Sequence, residues 1–141
     1  MRRNENLLKN EKGFTLIEII AVLVILGILS AVAVPKYMDL QNEARIKAGQ
    51  AAIAEVKSRL STGYGIYLLK NSGTEPTTIA HICGTNGIND ATIMPINGVG
   101  NVPMGSDYNV ATSGTGNTST ITVTKVQGTN TTVPAATWTI P

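Results

Sequence analysis

The chain has 141 residues, with 14% charged, 43% apolar and 4% aromatic residues and a formal net charge of +2. It is about one domain long, too apolar and weakly charged for a disordered solvating protein, and without the basic excess of a nucleic-acid binder, so no nucleic-acid contact is expected. One cysteine, Cys83, and one histidine, His81, exclude an internal disulfide framework, a cysteine-rich zinc site and a multi-histidine metal centre, and no cofactor or metal is expected.

Residues 1–13 form a short polar leader, in which Arg2, Arg3, Lys9 and Lys12 outnumber Glu5 and Glu11. Residues 14–34 read FTLIEIIAVLVILGILSAVAV, with Glu18 the only ionisable side chain. As a helix this stretch spans about 31 Å, the hydrocarbon thickness of a bilayer, and a helix satisfies its own backbone in lipid. The basic leader keeps the N-terminus cytoplasmic and sends the rest of the chain across. An ordinary secretory signal would have a shorter apolar run, about 7–15 residues. A simple signal-anchor leaves Glu18 unexplained.

A carboxylate in a membrane helix costs about 2.5–3.5 kcal/mol on insertion scales, which makes Glu18 a candidate functional residue unless it merely sits at headgroup level. Its cationic partner cannot come from residues 14–34, which hold no Lys or Arg. Cleavage between Gly13 and Phe14 would supply one, the new α-amine of Phe14, on the same or a neighbouring subunit.

The segment Lys12-Gly13-Phe14-Thr15-Leu16-Ile17-Glu18, continued by the apolar run to Val34 and by Pro35, resembles the class III signal sequence of type IV pilins and pseudopilins. Residues 35–45 (PKYMDLQNEAR) are similar to the same region of mannose-sensitive haemagglutinin pilins. The resemblance covers roughly residues 9–60 and implies a prepilin peptidase that cuts after Gly13 and N-methylates Phe14. It implies that Glu18 pairs with the N-terminus of a neighbouring subunit. It also implies a bend at Pro35 and a helix that melts between Gly27 and Pro35 in the filament.

Elementary chemistry points the same way. Removing residues 1–13 leaves seven Lys/Arg and seven Asp/Glu, a near-neutral subunit that can pack against its own copies. Pro35 lacks an N–H and crowds the Ala31 carbonyl, and Gly27 is a second weak point, unless it serves close helix packing in the membrane.

Residues 35–70 keep a helical pattern to about Leu69. Ile46, Ile53, Leu60 and Tyr67 recur every seven residues, with Gly49, Val56 and Gly63 between them, a narrow seam expected to pack under a sheet. Glu43–Lys47 and Glu55–Arg59 are oriented for i,i+4 pairing. Gly63 and Gly65 offer an earlier helix end.

Residues 71–141 carry only four charges, Glu75, Asp90, Asp107 and Lys125, and 16 threonines and nine glycines. Thr118–Val126 is the best strand, Ala136, Trp138 and Ile140 mark another, and residues 127–130 are expected to join the two as a hairpin. Thr77–Cys83 and Ala91–Ile96 are further strand candidates, and Asn86-Gly87 and Asn97-Gly98 are turn signals. The expected fold is α+β: a long N-terminal helix, transmembrane in its first half, packed under a small antiparallel sheet of three to five strands, the ladle of the pilin family.

Enzyme chemistry is not visible. His81 and Cys83 lack an orienting third group, and the chain has no phosphate-binding glycine loop, zinc-protease or nucleophile-elbow motif. Asn86, Asn89 and Asp90 could hold calcium but read better as turn chemistry. Asn117-Thr118-Ser119 and Asn130-Thr131-Thr132 fit the glycosylation acceptor pattern. With one cysteine, the C-terminal loop bridge of many major pilins cannot form within the chain, so the domain is held by packing only, or Cys83 is buried and reduced, or it pairs between chains, and the missing bridge lends weight to a pseudopilin.

The expectation is a structural subunit, not an enzyme. It starts as an inner-membrane precursor in lipid and polymerises with its own copies into an extracellular filament, with prepilin peptidase and an inner-membrane assembly platform as partners. The first alternative is a type II secretion pseudopilin in a periplasmic pseudopilus. The second is an electron-conducting filament using Phe14, Tyr37, Tyr64 and Tyr67.

Overall fold

The computed structural model describes residues 13–141, so the leader expected over 1–13 lies, apart from Gly13, outside the described residues. Two compact units divide the chain, one ending at Leu40 and the other comprising Gln41–Pro141.

Helix α1 spans Leu16–Lys70 and contains Pro35. Up to Leu40 it carries no buried residue. Beyond Gln41 it buries Gly49, Ala52, Ile53, Val56, Leu60, Gly63 and Tyr67, the seam expected from the heptad spacing, with Ile46 only half-buried. Gly63 and Gly65 do not end the helix. It closes at residues 71–73, where Ser72 takes φ 54° and the Gly73 N–H donates to the Leu68 carbonyl at 2.8 Å. That is a Schellman closure with serine in the left-handed position usually held by glycine. Of the two expected i,i+4 pairs, Glu55–Arg59 forms at 2.9 Å and Glu43–Lys47 does not.

The seam packs on an antiparallel sheet of β1 (Gly100–Val102), β2 (Tyr108–Ser113), β3 (Thr118–Val126), β4 (Thr129–Asn130) and β5 (Ala136–Thr139). The order is β1-β2-β3-β4, and β5 also pairs with β3. Strand β3 presents Ser119, Ile121 and Val123 to the core, β2 presents Val110 and Thr112, and Trp138 of β5 donates its indole N–H to Ser61 Oγ at 3.2 Å. The helix backbone comes close to this layer: a Cβ on Gly49 would lie 2.5 Å from Val133 Cγ2.

Three expectations need correction. Residues 127–130 do not join β3 to β5. Gln127 (φ 50°) and Gly128 (φ 74°) make a two-residue turn into β4, which pairs with the end of β3, while β5 pairs with residues 118–121 at its start. Two successive positive φ values are the type I′ geometry that matches strand twist, and so the tighter hairpin wins. Thr77–Cys83 is not a strand. Its second part is a one-turn helix, α2 (Ile79–Cys83), with Ile79, Ile82 and Cys83 buried at helical spacing. Ala91–Ile96 is a run of turns: Asp90 Oδ1 accepts from Thr92 N and Oγ1, and the Asp90 carbonyl accepts from the Ile93 and Met94 amides. Local side-chain bonds here outcompete a ladder.

Candidate functional site

The sequence places its functional candidates at the head of α1. Thr15 precedes the first helical residue, and its backbone N–H and Oγ1 both donate to Glu18 Oε2 at 2.8 Å. The Glu18 N–H donates back to Thr15 Oγ1 at 3.3 Å. This reciprocal pair is a capping box, T-x-x-E ahead of an apolar run, which occupies donors that a helix start leaves open. The same spacing is in the sequence and could have been read there. Glu18 Oε1 has no partner among the described residues, so the carboxylate caps its own helix through one oxygen.

Gly13 and Phe14 lie outside the helix, and Phe14 is 83% exposed. Every large apolar side chain from Phe14 to Leu40 is exposed, none by less than 47%. A helix that is apolar all round belongs inside something, lipid or a packed assembly of helices. Helix α1 is long and apolar enough to cross a membrane. A Cβ on Gly27 would meet nothing within 4 Å, so nothing in this chain requires glycine there. Pro35 is exposed within the helix.

The remaining candidates lie apart from this end. Cys83 is fully buried in the core, where burial raises its thiol from the ordinary 9.0 to about 11. His81 is exposed and stacks on Tyr67 with ring centroids 5.7 Å apart. Thus the histidine sits at the surface while the cysteine points into the core. Asp90 is spent on its turn, and the two bonds from Thr92 hold its carboxyl below the usual range. Among the described residues no cluster of three or more His, Cys, Asp or Glu could hold a metal. Among the described residues the aromatic stack is Tyr67–His81, which includes one of the four aromatics considered for conduction. From the sequence, Arg59 is legible only as the partner of Glu55. Besides Glu55, it donates to the carbonyls of Ile93 (2.8 Å) and Pro103 (3.1 Å), tying two loops to α1.

A long helix, mostly apolar and exposed up to Leu40 and capped by its own threonine and glutamate, together with a small antiparallel sheet, defines an α+β protein whose first helix is long and apolar enough to cross a membrane. Residues 8–34 match the family model described as the prokaryotic N-terminal methylation motif. The N-terminal part of the chain is accordingly of the kind found in type IV pilins, fimbrial proteins and type II secretion protein G. It is 51% identical over 47 residues to the type IV narrow pilus major component PilA5 of Thermus thermophilus, covering 33% of this chain and 40% of that protein. It is 40% identical over 52 residues to type II secretion system core protein G of Pseudomonas aeruginosa, covering 37% of each. Against the fimbrial protein EcpC of Eikenella corrodens it is 34% identical over 96 residues, 59% of this chain and 63% of that one. The chain thus spans less than two thirds of the length of these relatives. No solved structure matches it.

Proposed function

We propose that this chain is the precursor of a structural subunit of a type IV pilus-like filament. A prepilin peptidase cuts between Gly13 and Phe14 and methylates the new α-amine. The subunit waits in the inner membrane with residues 14–34 in lipid and residues 41–141 on the far side. An assembly platform then transfers α1 from lipid into a bundle of identical helices, and the finished filament lies outside the cell. The observation that carries this reading is the unbroken exposure of apolar side chains from Phe14 to Leu40, headed by Glu18, inside a segment matching the methylation motif.

The assembly step follows from the capped carboxylate. In lipid, Glu18 keeps one oxygen occupied by Thr15, which lowers the cost of holding it there. The second oxygen accepts the methylated amine of the next subunit, a charge-assisted bond strengthened by the low dielectric of a helix bundle. One non-closing contact, repeated, gives a helical polymer. Gly27 and Pro35 bracket the stretch of α1 that can lengthen as subunits pack.

A second reading, a type II secretion pseudopilin in a periplasmic pseudopilus, is supported by the 40% identity to protein G. Intact mass spectrometry of material sheared from cells and of washed envelopes separates the two. A chain starting at methylated Phe14 in the sheared fraction supports the pilus. The same chain confined to the envelope supports the pseudopilin, and a chain retaining residues 1–13 in both removes either.

A further inference from the structure

Two glycosylation acceptor patterns occur in the chain, and the fold treats them differently. Asn117-Thr118-Ser119 lies where the chain enters β3. The Asn117 carbonyl accepts from the Ile140 N–H at 2.9 Å, and its Oδ1 accepts from Thr118 Oγ1 at 3.2 Å. Ser119, whose hydroxyl a transferase must read, is fully buried and stands opposite Trp138 in the β3–β5 ladder. Presenting this pattern to an enzyme requires peeling β5 from β3.

Asn130-Thr131-Thr132 is built the other way. Asn130 ends β4, a two-residue strand beyond the type I′ turn, and both of its residues are exposed. The Asn130 amide makes no side-chain hydrogen bond among the described residues, and Thr132 is exposed. Asn130 pairs with Lys125 and the Thr131 N–H donates to the Thr124 carbonyl at 3.1 Å, after which the chain leaves the sheet, so presenting the asparagine and the hydroxyl two residues on opens only the exposed end of a two-residue edge strand and leaves β5 on β3. Beside Asn130 runs a shallow groove lined by four threonines (Thr122, Thr124, Thr131 and Thr132) and by Val123 and Val133, with no charged side chain. Neutral hydroxyls in a groove suit the hydroxyl-rich face of a sugar.

We infer that Asn130 is an N-glycosylation site, and that Asn117 is not. The donor is a glycan carried on a polyprenyl diphosphate. In the transfer, the bond from the anomeric carbon to the diphosphate oxygen breaks, the lipid diphosphate leaves with that electron pair, the anomeric carbon bonds Asn130 Nδ2, and one amide proton passes to a base. The inference rests on the far-side placement of residues 41–141 in the proposed function.

Trypsin separates the two patterns, because cleavage after Lys70 and Lys125 puts Asn117 on residues 71–125 and Asn130 on residues 126–141. The chain is isolated from its native cells and both fragments are weighed, with the N-terminus read from the same sample. The expected result is a glycan mass on 126–141 alone, abolished in Asn130→Gln and in Thr132→Ala and kept in Thr132→Ser. An unmodified 126–141 fragment overturns the site, whichever N-terminus the chain carries. So does a glycan on 71–125, or one that survives Asn130→Gln and is therefore held by a threonine. A leader still attached to a chain glycosylated at Asn130 would remove the filament reading and leave the site standing.

Discussion

Gly63 of α1 faces the carbonyl oxygen of Ile82 so closely that a Cβ at residue 63 would lie 2.8 Å from it. The obstacle is backbone, which cannot rotate away as a side chain can. Gly65, two residues on, meets nothing within 4 Å. The two glycines that weaken this part of the helix equally in isolation therefore have opposite worth in the fold. Gly63→Ala is expected to destabilise the protein by about 1–3 kcal/mol through overpacking. Gly65→Ala is expected to stabilise it by about 0.5–1 kcal/mol through helix propensity. Denaturant unfolding of the detergent-solubilised chain measures both.

The head of α1 makes a separable set of predictions. Gly13→Ser is expected to block leader removal, seen as retention of the full precursor mass. Glu18→Val is expected to leave membrane insertion and processing intact while filament yield falls severely, and normal yield would remove the proposed ion pair. Thr15→Ala removes the cap, worth about 0.5–2 kcal/mol, whereas Thr15→Ser retains an oxygen. Hydrogen exchange at the first-turn amides should quicken in the alanine variant and hardly change in the serine variant.

Arg59 holds a carboxylate and two loop carbonyls from one planar group. A lysine cannot reproduce that fork. Arg59→Lys is expected to cost about 1–3 kcal/mol, in the range for hydrogen bonds to a charged group. Glu55→Gln removes only the exposed ion pair and is expected to cost under about 1 kcal/mol. Unfolding of the two single variants and the double variant separates the carbonyl bonds from the pair.

Cys83 gives a reactivity and a pH prediction. Its thiol is raised from 9.0 to about 11 in the folded chain. The native protein should resist alkylation at pH 8 and react once denatured, because the thiolate is the nucleophile. Since the folded value lies above the unfolded one, this contribution to stability is complete below about pH 9 and is lost as pH climbs to about 11. Midpoints measured from pH 8 to 11 should fall in wild type more steeply than in Cys83→Ala.

Much of this fold can be read from the amino acids. The apolar rod, the seam through Ile53, Leu60 and Tyr67, and strand β3 follow from periodicity, since each repeats one signal over several turns or alternations. Shorter elements do not. β1 has three residues, and β2 places Thr112 on the core side, which hides its alternation, while a bulge at Asn109/Val110 shifts its register. Ile79, Ile82 and Cys83 fit a helical turn, but one turn is too short to outweigh the competing alternation of Thr77, Ile79, His81 and Cys83. At the candidate site, Phe14 and Glu18 are legible as chemistry because charge and oil rarely share a segment. The use of Glu18 as a helix cap needs only the threonine three residues earlier. Arg59's two carbonyl partners are 34 and 44 residues away in sequence, beyond the reach of any local pattern.

The central position of β3 also sets a timetable. β2, β4 and β5 all pair with it, and β5 does not close on residues 118–121 until Ala136–Thr139 are available. In the proposed topology the chain crosses the membrane from its N-terminal side and delivers those residues last. In the proposed precursor, the helical seam of α1 therefore crosses before the strands that complete its covering sheet. What can form early near the end is the hairpin at Gln127-Gly128, whose contacts are only a few residues apart and close in about 1–10 μs. The sheet over the seam is thus completed only by the last residues of the chain, Ala136–Thr139 against residues 118–121.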